Sequence, residues 1–162
     1  MADTPPRNLP WLDRLNAHLP DYGGYQQKSQ RADADQVFRD AIAARLDEAE
    51  RSVQATIREC ISRQAEREVG ALELLQADIH RLADRVRRAV SPAIFLDASE
   101  FGASKADALH ALDHALYEKA TALVALTSRT TPGHNWLSEL KSELNSFESK
   151  LDARALLFQS LS

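Results

Sequence analysis

The sequence predicts an all-α protein: an elongated antiparallel bundle of about four main helices, near residues 33–68, 71–90, 104–127 and 135–159, preceded by a short N-terminal helical arm at 10–19. Three observations carry that expectation. Apolar residues recur at steps of three and four along most of the chain, which is the spacing that gathers side chains on one face of a helix. Glycine and proline collect near 5–24, at Gly70, across 92–102 and at 132–133, leaving the segments between them uninterrupted. No segment alternates apolar and polar residues with the period of two that a half-buried strand requires.

The arm comes first. It leads into "LPDYGGYQQKSQR", where Gly23 and Gly24 can take positive φ and swing the chain into a tight turn while Tyr22 and Tyr25 cover apolar surface at one end of the bundle. This divides the chain into an arm with a Tyr-Gly-Gly-Tyr turn, residues 1–32, and a single bundle domain, residues 33–162. Asp33 and Asp35 then stand where the positive end of a helix dipole favours acids.

The first long helix is expected from a stripe running Val37, Phe38, Ile42, Leu46, Ala49, Val53, Ile57, Ile61 and Val69. Acids placed four residues before bases, Asp35 to Arg39, Asp47 to Arg51, Glu59 to Arg63 and Asp84 to Arg88, support helix surfaces by about 0.2–0.5 kcal/mol each. A helix unbroken from 33 to 90 would far exceed the usual globular length of ~10–14 residues. Because glycine is disfavoured inside helices and favoured just past their ends, the hairpin is expected near 67–71, at Gly70.

A second stripe, Leu72, Leu75, Ile79, Leu82, Val86 and Ala89, alternates threes and fours until Ser91-Pro92, where the residue before proline is forced out of the helical region. The connection that follows, "PAIFLDASEFGA", is longer than a tight helical hairpin needs. Its Phe95, Leu96 and Phe101 fold back over the bundle end or form a lid or docking loop.

The third stripe is Leu109, Leu112, Leu116, Leu123 and Leu126, opened by Ser104 and Asp107 in the layout of a capping box. Leu137, Leu140, Leu144, Phe147, Leu151 and Phe158 make the fourth. Asn135 can cap it, or Thr131 can do so with Pro132 at the first helical position.

Composition limits what such a bundle does. With 162 residues, 44% hydrophobic and 27% charged, the chain suits one domain burying about 70% of the surface it exposes when unfolded. Its single cysteine, Cys60, forbids an internal disulfide and fits a reducing, cytoplasmic setting. "MADTPPRNLPW" lacks the apolar core of a secretion signal, and no window approaches the ~18 apolar residues of a membrane span. The net charge of −4, with the signs mixed, gives no global field for nucleic acid. Cys60 reads as a small buried hydrophobe, and His80 as a bundle-flank histidine bonded to water or a carboxylate. Arg81, Arg85, Arg87 and Arg88 read as the bases expected near a helix C-terminus, without the interleaved aromatics that stack bases.

Two constellations merit weighing as sites. The glycine pair lacks both the lysine of a Walker loop and the strand context of a dinucleotide fingerprint, so it is a turn rather than a phosphate cradle. On the third helix, Asp107, His110, His114 and Glu118 share one face, and two imidazoles with two carboxylates are a set that zinc or iron accepts. That face is expected to point away from the leucine stripe into solvent, without the surrounding groups that orient metal ligands. The expectation is therefore no metal, no cofactor and no catalytic residue. Tyr22, Tyr25, Phe95 and Phe101 are the partner-binding candidates.

Gly24, Tyr25, Lys28, Arg31, Asp35 and Arg39 form a segment that resembles the opening of an uncharacterised bacterial family of small helical, coiled-coil-like proteins. "RLADRVRRA" and "LHALDHALYEKA" are similar to that family's second and third helices, with Asp84, Arg85, Asp113, Leu116 and Glu118 in matching places. Ser29 and Ala32 depart from its pattern. The resemblance, over residues 19 to about 126, implies the helical architecture and says nothing of activity. The sequence as a whole points to a non-catalytic helical interaction or scaffold protein, self-associating or binding a partner helix. A metal-binding bundle and a protein lying on a membrane surface are the alternatives.

Overall fold

In the computed structural model the described residues are 10–25, 27–92, 95–96, 103–129 and 135–160. Among them the chain is helical, with α1 Pro10–His18, a 3-10 turn Lys28–Gln30, α2 Arg31–Ser62, α3 Glu66–Arg88, α4 Ala103–Thr127 and α5 Trp136–Gln159. Helices α2 and α3 form one hairpin and α4 and α5 another, and the two meet through α2 against α4 and α3 against α5.

Side-chain bonds give the directions. Arg39 near the start of α2 donates to the carbonyl of Arg87 at the end of α3 (3.2 Å). Lys105 at the start of α4 donates to the Ser160 carbonyl beyond α5 (3.1 Å), while the Trp136 indole at the other end donates to the Leu126 carbonyl (2.6 Å). Both hairpins are thus antiparallel. Arg81 meets Glu148 (2.9 Å) and Arg85 meets Asp152 (2.6 Å), so α3 and α5 run the same way.

The stripes supply the core. Phe38, Ile42, Leu46, Val53, Leu72, Leu75, Ile79, Leu82, Val86, Leu109, Leu116, Leu123, Leu140 and Phe147 are all buried in one cluster. Each such side chain contributes about 1.5–3 kcal/mol of transfer free energy. Leu15, Leu19, Tyr22 and Tyr25 belong to that same cluster, so the arm is part of the core rather than an appendage.

The α2–α3 break falls earlier than the glycine predicts. Gly70 lies inside α3, with nothing within 4 Å of the position a Cβ would take. The turn is Arg63–Ala65, where Gln64 adopts φ 59. Its amide donates to the Ile61 carbonyl (3.1 Å) and the Ala65 amide to the Cys60 carbonyl (2.9 Å), the paired bonds of a Schellman motif. A glutamine holds the left-handed position that glycine ordinarily fills, which is why composition pointed elsewhere. With α2 ending at Ser62, Ile61 leaves the stripe and is 59% exposed, while Cys60 takes the buried place.

Helix α4 begins at Ala103, which places Ser104 within its first turn rather than at the cap. Asn135 occupies the N-cap position of α5 without a capping side-chain bond. Thr131, Pro132 and Phe101 lie outside the described residues.

Candidate functional site

The chain meets itself several times at the end of the bundle where α2 and α4 start and α3 and α5 finish. The arm turns there on Gly23 (φ 61) and Gly24 (φ 89), as the sequence predicts. A Cβ on Gly24 would stand 3.1 Å from Nε2 of His110, so the backbone passes too close to α4 for a side chain. The Tyr25 amide donates to that Nε2 (2.9 Å), and the Tyr25 and His110 rings stack with centroids 5.0 Å apart. Arg31 fastens the turn from below, its Nε donating to the Tyr25 carbonyl (2.8 Å) and its Nη1 to the Phe95 carbonyl (3.1 Å).

Once the turn is placed, both tyrosine hydroxyls reach one carboxylate. Tyr22 donates to Oδ2 of Asp113 (2.8 Å), and Tyr25 donates to the same oxygen. Arg154, from α5, donates Nε to Oδ1 of Asp113 (2.7 Å) and Nη2 to Oδ1 of Asp35 on α2 (2.6 Å). The same Nη2 also donates to the Tyr25 oxygen (3.1 Å). Asp35 accepts further bonds from Arg39 Nε (2.9 Å) and from the Ser91 hydroxyl beyond α3. Phe38 and Phe158 cover the guanidinium, with its central carbon 4.7 and 4.9 Å from their ring centres. Arm, α2, α4, α5 and the segment after α3 are thereby tied to a single arginine.

Burial and charge set the ionisation of this ring. Burial, then the neighbouring Asp113 charge, pushes the Tyr22 and Tyr25 hydroxyls well above their ordinary range, so both stay protonated donors. Burial also pushes Asp113 up, outweighing Arg154 and its hydrogen bonds. At Asp35 burial acts in the same upward sense, but Arg154, the Ser91 bond and Arg39 together prevail and hold the carboxyl below its usual value. Burial would discharge Arg154, yet Asp113, Tyr25 and Asp35 raise it further still. His110 is driven by burial down to about 4, with Asp107 opposing. Its imidazole is neutral at pH 7, with Nε2 free of a proton to accept the Tyr25 amide. Asp35 and Asp113 are balanced in sign by Arg39 and Arg154, which makes the burial of so many ionisable groups tolerable.

Several sequence expectations are corrected here. Tyr22 and Tyr25 are 1% and 0% exposed and are held by Asp113, so they are not available to a partner. Phe95 is likewise buried, its ring against Tyr25 and Phe158. His110 does not face solvent: it lies in the core stripe beside Asp113, both 0% exposed. The face carrying Asp107, His114 and Glu118 therefore loses its central imidazole to the arm. His114 keeps only a 3.6 Å approach to Glu118. Among the described residues no group of three or more His, Cys, Asp or Glu side chains is arranged to hold a metal ion.

Other readings are located by their contacts. His80 lies 3.2 Å from a Glu50 oxygen, on the flank of the bundle. Arg81, Arg85 and Arg87 pair with Glu148, Asp152 and Asp47, tying α3 to α5 and α2, while Arg88 pairs with Asp84 one turn back on α3 itself.

Beside the ring the structure opens into a cleft of about 420 Å³, between the Ala89–Pro92 segment and the last turns of α5; Asp35, Ser91 and Arg154 reach its wall. Comparison with protein-family models, curated proteins and solved structures finds no match to this chain. Of the residues that carry the resemblance noted above, Tyr25, Arg31, Asp35, Arg39 and Asp113 converge at this one end. No helix among the described residues is long and apolar enough to cross a membrane.

Proposed function

We propose that this chain is a non-catalytic helical interaction protein, acting by self-association or by binding a partner helix. The observation that supports the reading is the internal engagement of its chemical groups. Both carboxylates of the ring each accept three bonds, the two phenols are locked as donors to one of them, and the His110 acceptor is taken by a backbone amide. A general acid, base or nucleophile must be able to exchange its proton with a substrate, and these groups exchange bonds with one another instead.

The same network makes the frame stiff, while large apolar side chains are left on the outside: Leu74 is 70% exposed and Leu156 63%. Such residues are inexpensive to bury against a second helix presenting the same three-and-four spacing. Light scattering coupled to size exclusion tests the reading. A dimer or larger species at micromolar concentration, shifted toward monomer by Leu74→Ser or Leu156→Ser with unchanged thermal midpoint, is the expected result. A strict monomer at all concentrations would remove self-association.

A further inference from the structure

The cleft beside the ring has the makings of a ligand site. Its volume of about 420 Å³ falls in the range of ~300–1,000 Å³ typical of small-molecule pockets. Val90, Pro92, Leu151, Ala155 and Phe158 give it apolar walls, and Arg154 stands among them at the inner side. Every other part of that guanidinium is occupied. Nε serves Asp113, Nη2 serves Asp35 and Tyr25, and the rings of Phe38 and Phe158 pack against its central carbon. Nη1 has no hydrogen-bond partner among the described residues, although the residue is only 5% exposed. Nη1 is not sealed in the interior as the rest of the group is, so its pair of N–H donors is open to an acceptor that enters the apolar cleft.

Charge narrows the class of acceptor. Among the lining residues, Arg85 is already paired with Asp152, and the one carboxylate, Asp35, accepts bonds on both oxygens, which leaves Nη1 of Arg154 as the charged donor without a partner. A cationic ligand would therefore find no unoccupied carboxylate on the cleft wall. A carboxylate matches Nη1, because hydrogen bonds between ionised partners are roughly twice as strong as neutral ones. The rest of the ligand must be apolar to match the walls.

We propose that the cleft binds a small apolar-bodied monocarboxylate, its carboxylate on Nη1 of Arg154 and its hydrocarbon part against Val90, Leu151, Ala155 and Phe158. This goes beyond the interaction reading and does not depend on it: an oligomeric state can be measured with the cleft empty or filled.

The test uses the full-length protein titrated with octanoate, octylammonium and 1-octanol, followed by amide NMR shifts and calorimetry. Octanoate is expected to bind about 10- to 100-fold tighter than octanol, the ratio a charge-assisted bond supports, with shifts centred on Val90, Ser91 and Ala155. Octylammonium is expected not to bind. Arg154→Ala removes the anchor but also unbalances the ring, so the decisive variant is Ala155→Phe. Ala155 is exposed and outside the ring, and the larger ring fills the cleft. It should weaken octanoate at least about tenfold while leaving the thermal midpoint of the free protein in place. Equal affinity for octanol and octanoate, undiminished binding to Ala155→Phe, or no binding at millimolar octanoate would each overturn the proposal.

Discussion

The two ends of this bundle are closed by different means. At the end holding the arm, closure depends on directional bonds to buried charges, with Arg154 joining Asp35 and Asp113 while Tyr22, Tyr25 and Ser91 complete the carboxylates. At the opposite end, α2 turns into α3 through backbone bonds around Gln64, and α4 meets α5 where Trp136 covers the last turn. The contrast teaches a division of labour. Apolar packing tolerates exchange of one hydrocarbon for another and fixes position loosely. A buried charge network fails when one partner is removed and so fixes which segments meet. The arm, the segment after α3 and the end of α5 meet at the first end, whereas α2 and α3 are joined at the second by a short backbone turn, and the stricter device sits where more segments have to be told apart.

Substitutions can break that contrast, beginning with the most severe. Arg154→Ala strands two buried carboxylates and is expected to cost about 3–5 kcal/mol in urea denaturation. Arg154→Lys should recover little, since one ammonium cannot bridge both acids in the plane that the fork provides. A loss below ~1 kcal/mol for Arg154→Ala would remove the distinction between the ends.

Acid probes the same end. The unfolded chain protonates His110 near 6.5 and the folded protein only near about 4. Between those values the unfolded state binds more protons, so stability falls as pH falls, by on the order of 2–3 kcal/mol across the whole window. Asp35, held low, adds to the loss below the ordinary carboxylate range, whereas Asp113, held high, opposes it. His110→Gln keeps an acceptor for the Tyr25 amide and should flatten the stability–pH curve between 6.5 and 4. Chemical denaturation at a series of pH values reads the difference.

Glycine substitutions then give opposite signs at different sites. Gly24→Ala places a methyl against His110 at a backbone φ of 89 and is expected to cost about 1–3 kcal/mol. Gly70→Ala, in an exposed helix interior with open space around it, should add about 0.5–1 kcal/mol of stability. Arg81→Ala removes a half-exposed pair with Glu148 and is expected to change stability by less than about 0.5 kcal/mol. Thermal melts of the three variants give the ordering.

Much of this architecture could be read from the chain. The unbroken run Leu72, Leu75, Ile79, Leu82, Val86 is buried throughout, and the double glycine turns as expected. The ring escaped because its members are far apart in sequence, Tyr25 and Arg154 by 129 positions and Asp35 and Arg154 by 119. Yet a signal was present. Asp35 stands three residues before Phe38 at the head of its stripe, while Asp113 falls between Leu109 and Leu116 and Arg154 between Leu151 and Phe158, each at helical spacing in line with apolar residues. A charged residue at a core position has to find an opposite charge, so these three predict one another. Counting only apolar residues along each stripe hid them, and it placed His110 on the wrong face for the same reason. Gln64 left no comparable mark, because its left-handed conformation follows from the hairpin's backbone bonds rather than from its own preference.

Native-state hydrogen exchange at the Tyr25 amide tests the central claim, that the arm is locked into the core through the ring. The amide donates to His110 Nε2 inside the cluster. It should therefore exchange only on global unfolding, as slowly as the amides of Ile79 or Leu82, while those of Arg63 to Ala65 at the opposite turn exchange through local opening. Tyr25 exchanging as fast as that turn would mean that the arm opens on its own, and the buried charge network would not be what holds this end of the bundle together.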